Sequence, residues 1–194
     1  MIADFAKFMT QGFLAPRATV RRLLDGGHGF DVALMFVALA YILEAVLVKL
    51  AVSKPPDAAH PLSDHFRGGM LSVCAFFILS GLIYWLGRMM GGIATLAQAQ
   101  IASAWFMLVT VLLTPLAIIG LPSQFFSPPT DPSVPIDLSD GNPTVLMVIS
   151  GASVWLLSSA VAEAHGFQSV WRVAGAIIAV PLVAMVLVSA MVGG

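Results

Sequence analysis

Residues 68–87 read GGMLSVCAFFILSGLIYWLG, twenty residues without an Asp, Glu, Lys or Arg, closed on either side by Arg67 and Arg88. A bilayer core of about 30 Å is crossed by about 20 apolar residues in a helix that rises 1.5 Å per residue. This stretch has that length, and its apolar residues run continuously instead of alternating, so a barrel strand is excluded. Stretches 89–130, 141–162 and 173–194 are also free of charge. Within 89–130, Gln98 and Gln100 stand near the start and a Pro-rich tail follows Leu121, which leaves room for one span. Five spans result, at residues 30–52, 69–87, 101–121, 144–161 and 170–192. The third carries Pro115 near its far end.

Composition agrees. Of 194 residues, 59% are hydrophobic and 10% charged, and mean hydropathy is +0.95. A soluble domain is about 45–50% apolar and about 25% charged. So few charges cannot cover a water-facing surface, which excludes a soluble enzyme and a disordered chain. Nine Lys+Arg against ten Asp+Glu give a net charge of −1, with no basic field to collect nucleic acid. The single cysteine, Cys74, lies in an apolar run and permits neither an intrachain disulfide nor a cysteine metal site.

Residues 1–29 form a separate N-terminal segment ahead of the membrane domain at 30–194. No unbroken apolar run of signal-peptide type is present there. Instead Ile2, Phe5, Phe8, Met9 and Phe13 recur near helical spacing among Asp4, Lys7, Thr10 and Gln11. That pattern predicts an amphipathic helix at the membrane interface. Pro16 suits the first turn of a second short helix, with Val20, Leu23 and Leu24 on one face. Gly26, Gly27 and Gly29 end it. The fold expected is all-α: five transmembrane helices preceded by amphipathic interfacial helices.

The basic residues orient the chain. With the N-terminus in the cytoplasm, Lys7, Arg17, Arg21, Arg22, Arg88 and Arg172 fall on the inside, and Lys49, Lys54 and Arg67 outside. Six against three favours this arrangement. The C-terminus and the acidic, Pro-rich stretch 122–143 then face outward.

Ionisable residues in lipid are candidates for function. Glu44 lies about 20 Å along the first span. Lys49, five residues on, has a poor helical offset for pairing with it and is expected to snorkel outward. Asp57, His60, Asp64 and His65 are metal-ligating in type, but their spacing across prolines gives no helical register, and no metal site or cofactor is expected. Arg17, Arg21, Arg22, Arg88, Glu163, His165 and Arg172 make up the candidate cytoplasmic and lipid-facing set. Catalytic patterns are missing: Ser153 is followed by Val154 instead of a glycine, and no His-Glu-x-x-His or phosphate-binding glycine loop occurs. Gly87 and Gly91 form a Gly-x-x-x-Gly, and Gly151 and Gly175 lie in the small-residue faces of the fourth and fifth spans. Such residues let helices approach within the bundle or against a partner.

Several segments together resemble a known family. They are Pro16-Arg17-Ala18-Thr19-Val20-Arg21-Arg22-Leu23-Leu24, then Gly87-Arg88-Met89-Met90-Gly91-Gly92, Thr95-Leu96-Ala97-Gln98-Ala99, Glu163-Ala164-His165-Gly166-Phe167 and Trp171-Arg172. Their order is similar to that of the Yip domain family of Ypt/Rab-interacting-type membrane proteins, in its bacterial form. The resemblance implies a five-helix bundle with a cytoplasmic N-terminus and no catalytic residues. Eukaryotic relatives are linked to Rab GTPases; the long N-terminal region of those relatives is missing from this sequence, and that role is not carried over. The function expected is therefore a non-enzymatic accessory or assembly subunit of a larger complex in the bacterial inner membrane. Its partners are lipid and another integral membrane protein, with self-association as a further way to cover the same faces. The alternative is a small transporter, or a lipid-handling or membrane-shaping protein, that uses Glu44.

Overall fold

A computed structural model describes residues 2–51, 62–120 and 141–192. Those residues form eight α-helices: α1 Ile2–Leu14, α2 Pro16–Asp25, α3 Phe30–Ala51, α4 Leu62–Met89, α5 Leu96–Thr110, α6 Thr114–Gly120, α7 Pro143–His165 and α8 Val170–Val192. Among them α3, α4, α5 with α6, and α7 are long and apolar enough to cross a membrane, and α8 is a fifth apolar helix. The outward faces match this. Met35, Ile42, Val46 and Leu50 on α3, and Ile78, Leu82, Trp85 and Met89 on α4, are exposed. Large apolar side chains exposed in rows along long helices belong in hydrocarbon. The chain is an integral membrane protein.

Local sequence sets the helix ends. Thr95 and Gln98 cap α5 reciprocally: the Gln98 N–H donates to Thr95 Oγ1 at 3.3 Å, and the Thr95 N–H donates to Gln98 Oε1 at 2.8 Å. The third span begins five residues before the expected residue 101, because Gln98 is part of the cap that starts the helix at Leu96. Asn142 caps α7 by accepting from the N–H groups of Thr144 and Val145, and Pro143 takes the first helical position. The third span is not one continuous helix. Val111–Leu113 is a 3₁₀ turn between α5 and α6. Pro115 has no N–H, and its ring would meet the carbonyl of Val111 four residues earlier, so α-geometry tightens just before it.

The observed bounds depart most from the expected ones where polar residues lie near a span's end. α4 begins at Leu62, not 69, so the backbone of Asp64, His65 and Arg67 is helical. α7 continues past 161 to His165. Asp57 and His60 lie outside the described residues.

α5 is the axis of the bundle. It packs against α3, α4 and α7. More than half of its span is buried (56%), against 17% for α3 and α4. Ala99, Ala102, Ser103 and Ala104 keep its faces slim enough for three neighbours, and Trp105, fully buried, fills the centre. The amphipathic pair turns its apolar side to this core: Met9, Val20 and Leu23 are buried. Gly12 is seated on Trp105 and Val109. Phe30 at the start of α3 packs on Phe76 and Phe77, with centroids 6.3 and 5.9 Å away. α3 therefore begins roughly 20 Å below the end of α4. At that end α2 packs on α5 and α7.

Candidate functional site

Two segments end helices in the same way. In residues 87–92 the Gly92 N–H donates to Gly87 O (2.8 Å) and the Gly91 N–H to Arg88 O (3.0 Å), with Gly91 at φ +84°. In residues 162–167 the Phe167 N–H donates to Ala162 O (2.8 Å) and the Gly166 N–H to Glu163 O (3.3 Å), with Gly166 at φ +73°. Both are the six-residue cap with a left-handed glycine that satisfies the last carbonyls of a helix. Alanine at Gly166 is expected to destabilise the protein by about 1 kcal/mol through its left-handed backbone alone. An SDS titration of the purified protein, read by circular dichroism, measures this.

The two caps interlock through His165. Its Nε2 lies 3.1 Å from Ile83 O. A carbonyl only accepts, so Nε2 carries the hydrogen and Nδ1 is an acceptor. Nδ1 is buried and has no partner among the described residues. The ring stacks on Phe167 (5.7 Å between centroids, 13° between planes). It lies between Gly87 and Gly92, where a methyl group on either glycine would overlap it.

Beside this joint, Glu163 collects two arginines from α2. Arg17 Nε donates to Glu163 Oε2 at 2.9 Å, and Arg21 Nε donates to Oε1. Arg17 also donates to Phe167 O (3.0 Å) and Gln168 O (3.1 Å), carbonyls that the end of α7 presents to it. The Glu163 side chain is 7% exposed, that of Arg17 36% and that of Arg21 64%. The hydrogen bond to Glu163, then its charge, raises the Arg21 guanidinium above its already high range. One carboxylate thus holds two cations, and α2 is fastened to the turn between α7 and α8.

The structure joins only part of the predicted charged set. Arg17, Arg21 and Glu163 meet, with His165 in the adjoining turn. Arg22 reaches Gln11 weakly at 3.4 Å, Arg88 lies over the Tyr84 ring at 5.9 Å, and Arg172 is exposed. Of the predicted packing glycines, Gly87 makes a close approach, but to an imidazole and not to a helix backbone. Gly91, Gly151 and Gly175 have open space where a Cβ would stand. Close approaches between helices that the sequence reading missed include Gly92, Gly12, Gly68 and Gly120; Gly68 lies against Tyr41 and Gly120 against Val145. A Gly-Gly pair at a helix end was the available signal for Gly92.

Glu44 faces a different neighbourhood. It lines a cavity of about 200 Å³ with Thr110, Val111, Thr114, Ile149 and Ser153, at the 3₁₀ break. Glu44 is itself exposed at the edge of this cavity, and Lys49, also exposed, does not line it. A larger groove of about 600 Å³ runs between α3 and α4. Small side chains of Ala38, Gly69, Ser72 and Cys74 form part of its wall.

The family model described as the Yip1 domain matches residues 12–191, nearly the whole chain and all of the segments just described. No curated protein and no solved structure matches significantly.

Proposed function

The chain belongs to the Yip1 domain family, and from that premise we propose that it is a non-enzymatic accessory subunit of a larger assembly in the bacterial inner membrane, with its N-terminus in the cytoplasm. The observation that carries the reading is the groove between α3 and α4. These two helices expose apolar side chains along their length and diverge enough to leave about 600 Å³ between them. Small residues in its wall let another helix approach closely, which in lipid is the source of helix–helix affinity. A transmembrane helix of a partner fits that shape and chemistry. The basic end supports the orientation, because Arg22, Arg88 and Arg172 carry no acidic partner among the described residues and so add to the positive side.

The test is a gentle-detergent pull-down from native membranes, read by mass spectrometry, on the wild-type chain and on Ser72→Leu and Cys74→Phe. The expected result is a stoichiometric membrane protein that is lost from both groove-filling variants while the variants remain monodisperse. Retention of the partner by both variants, or a protein that emerges alone, overturns the reading. Replacement of the partner by tightly held lipid would mark the groove as a lipid site instead.

A further inference from the structure

We propose that the cavity at Glu44 is a binding site for a hard monovalent cation of the size of sodium. The proposal goes beyond the accessory-subunit reading and does not depend on it. Its first support is the donor set. Glu44, Thr110, Thr114 and Ser153 give one carboxylate and three hydroxyls, all oxygen, and no cationic side chain lines the cavity. Oxygen donors of this kind suit hard cations and leave nothing to hold an anion. One carboxylate is too little charge for calcium, whose sites gather several.

The second support is unmet bonding. Glu44 makes no hydrogen bond or ion pair with any described residue. Thr114, only 9% exposed, has a hydroxyl with no partner among the described residues either. Thr110 donates its hydroxyl hydrogen back to Phe106 O and Met107 O, so its lone pairs remain to accept or to ligate. A carboxylate in a membrane span without a partner is costly, and a bound cation relieves that cost.

The third support is the backbone. Beside Pro115 the α5–α6 span tightens into a 3₁₀ turn at this level, and a 3₁₀ stretch within a long helix often marks a functional position. Glu44 is seven residues from the end of α3 at Ala51, about 10 Å from that face. Ion entry from the side opposite the Arg17–Glu163 cluster is thus short.

The experiment uses the full chain in lipid nanodiscs and infrared difference spectra of the carboxyl bands, with sodium chloride against choline chloride at equal ionic strength. The expected result is a saturable, sodium-specific change that is abolished in Glu44→Gln. In Thr114→Val the half-saturating sodium concentration should rise at least tenfold, with helicity unchanged in both variants. An equal response to choline, or a sodium response that survives in Glu44→Gln, overturns the proposal. A Thr114→Val curve that superimposes on wild type removes the hydroxyls from the site and overturns it as stated.

Discussion

Alanine at Gly87 is expected to destabilise the folded protein by about 3 kcal/mol, the cost of forcing a methyl group into a filled site. The added carbon would stand inside the His165 ring. The ring has no room to withdraw. Gly92 closes the other side, Phe167 is stacked on its face, and Ile83 O holds Nε2. Relief requires α4 and α7 to shift apart, which breaks that hydrogen bond and leaves a buried polar group unsatisfied, a cost of about 1–3 kcal/mol in itself. Alanine at Gly151 or Gly175 is the control, since both lie in helices with open space at the Cβ position, and should change stability by no more than about 0.5 kcal/mol. The pair Gly87→Ala with His165→Ala should be less damaging than the sum of its parts, by about 1–2 kcal/mol, because the clash needs both groups. SDS titrations of the four proteins give the cycle. Additive costs would mean that ring and glycine do not meet.

Much of this architecture is legible in the sequence because lipid imposes a simple rule. A helix in hydrocarbon must be about 20 residues long and nearly free of charge, so stretches such as 68–87 and 173–194 declare themselves. The amphipathic N-terminal pair is visible for a related reason, since Phe5, Phe8, Met9 and Val20 recur at helical spacing. Helix ends are less visible, because polarity marks where a helix leaves the hydrocarbon and not where it stops. α7 runs on through Glu163 and His165 to a left-handed glycine, and that glycine was the better signal. Pro115 could be noted as a kink, but its alignment with Glu44 on another helix is a tertiary fact.

The charged cluster shows the same limit more sharply. Glu163, Arg88 and Arg172 are near one another in topology, and sequence reasoning groups them. The actual partners of Glu163 are Arg17 and Arg21, 146 and 142 residues away in the chain. No periodicity carries that information. It follows from α3 starting well below the end of α4, which leaves α2 against α7 at the level of the turn. The segments that carry the family resemblance acquire a physical reason here. The Pro16–Leu24, Gly87–Gly92 and Glu163–Phe167 segments are three parts of one joint, in which each part supplies what another needs.

Arg17→Ala is expected to release the α1–α2 pair from that joint. Arg17 spends three N–H groups in one fork, on Glu163 Oε2, Phe167 O and Gln168 O. Charge-assisted bonds of this kind contribute about 1.5–3 kcal/mol when shielded, and the 36% exposure of Arg17 lowers its share. A net loss of about 2 kcal/mol is expected, which is roughly a 30-fold rise in the opening equilibrium. Amide hydrogen exchange across residues 2–25 should quicken by that factor while α5 is unchanged. Lysine at the same position should rescue little, because one ammonium cannot follow a planar fork. Glu163→Gln should be milder at Arg17, whose two carbonyl partners remain, and should loosen Arg21 most. Arg21 is the more exposed partner, so its contribution should fade with added salt. Raising the pH should not be the lever there. The guanidinium is raised above its already high range, so its own deprotonation breaks the pairing only above that range. Exchange in residues 2–25 of Arg17→Ala as slow as in the wild type would show that the N-terminal helices are held by their apolar faces alone, through Met9, Val20 and Leu23.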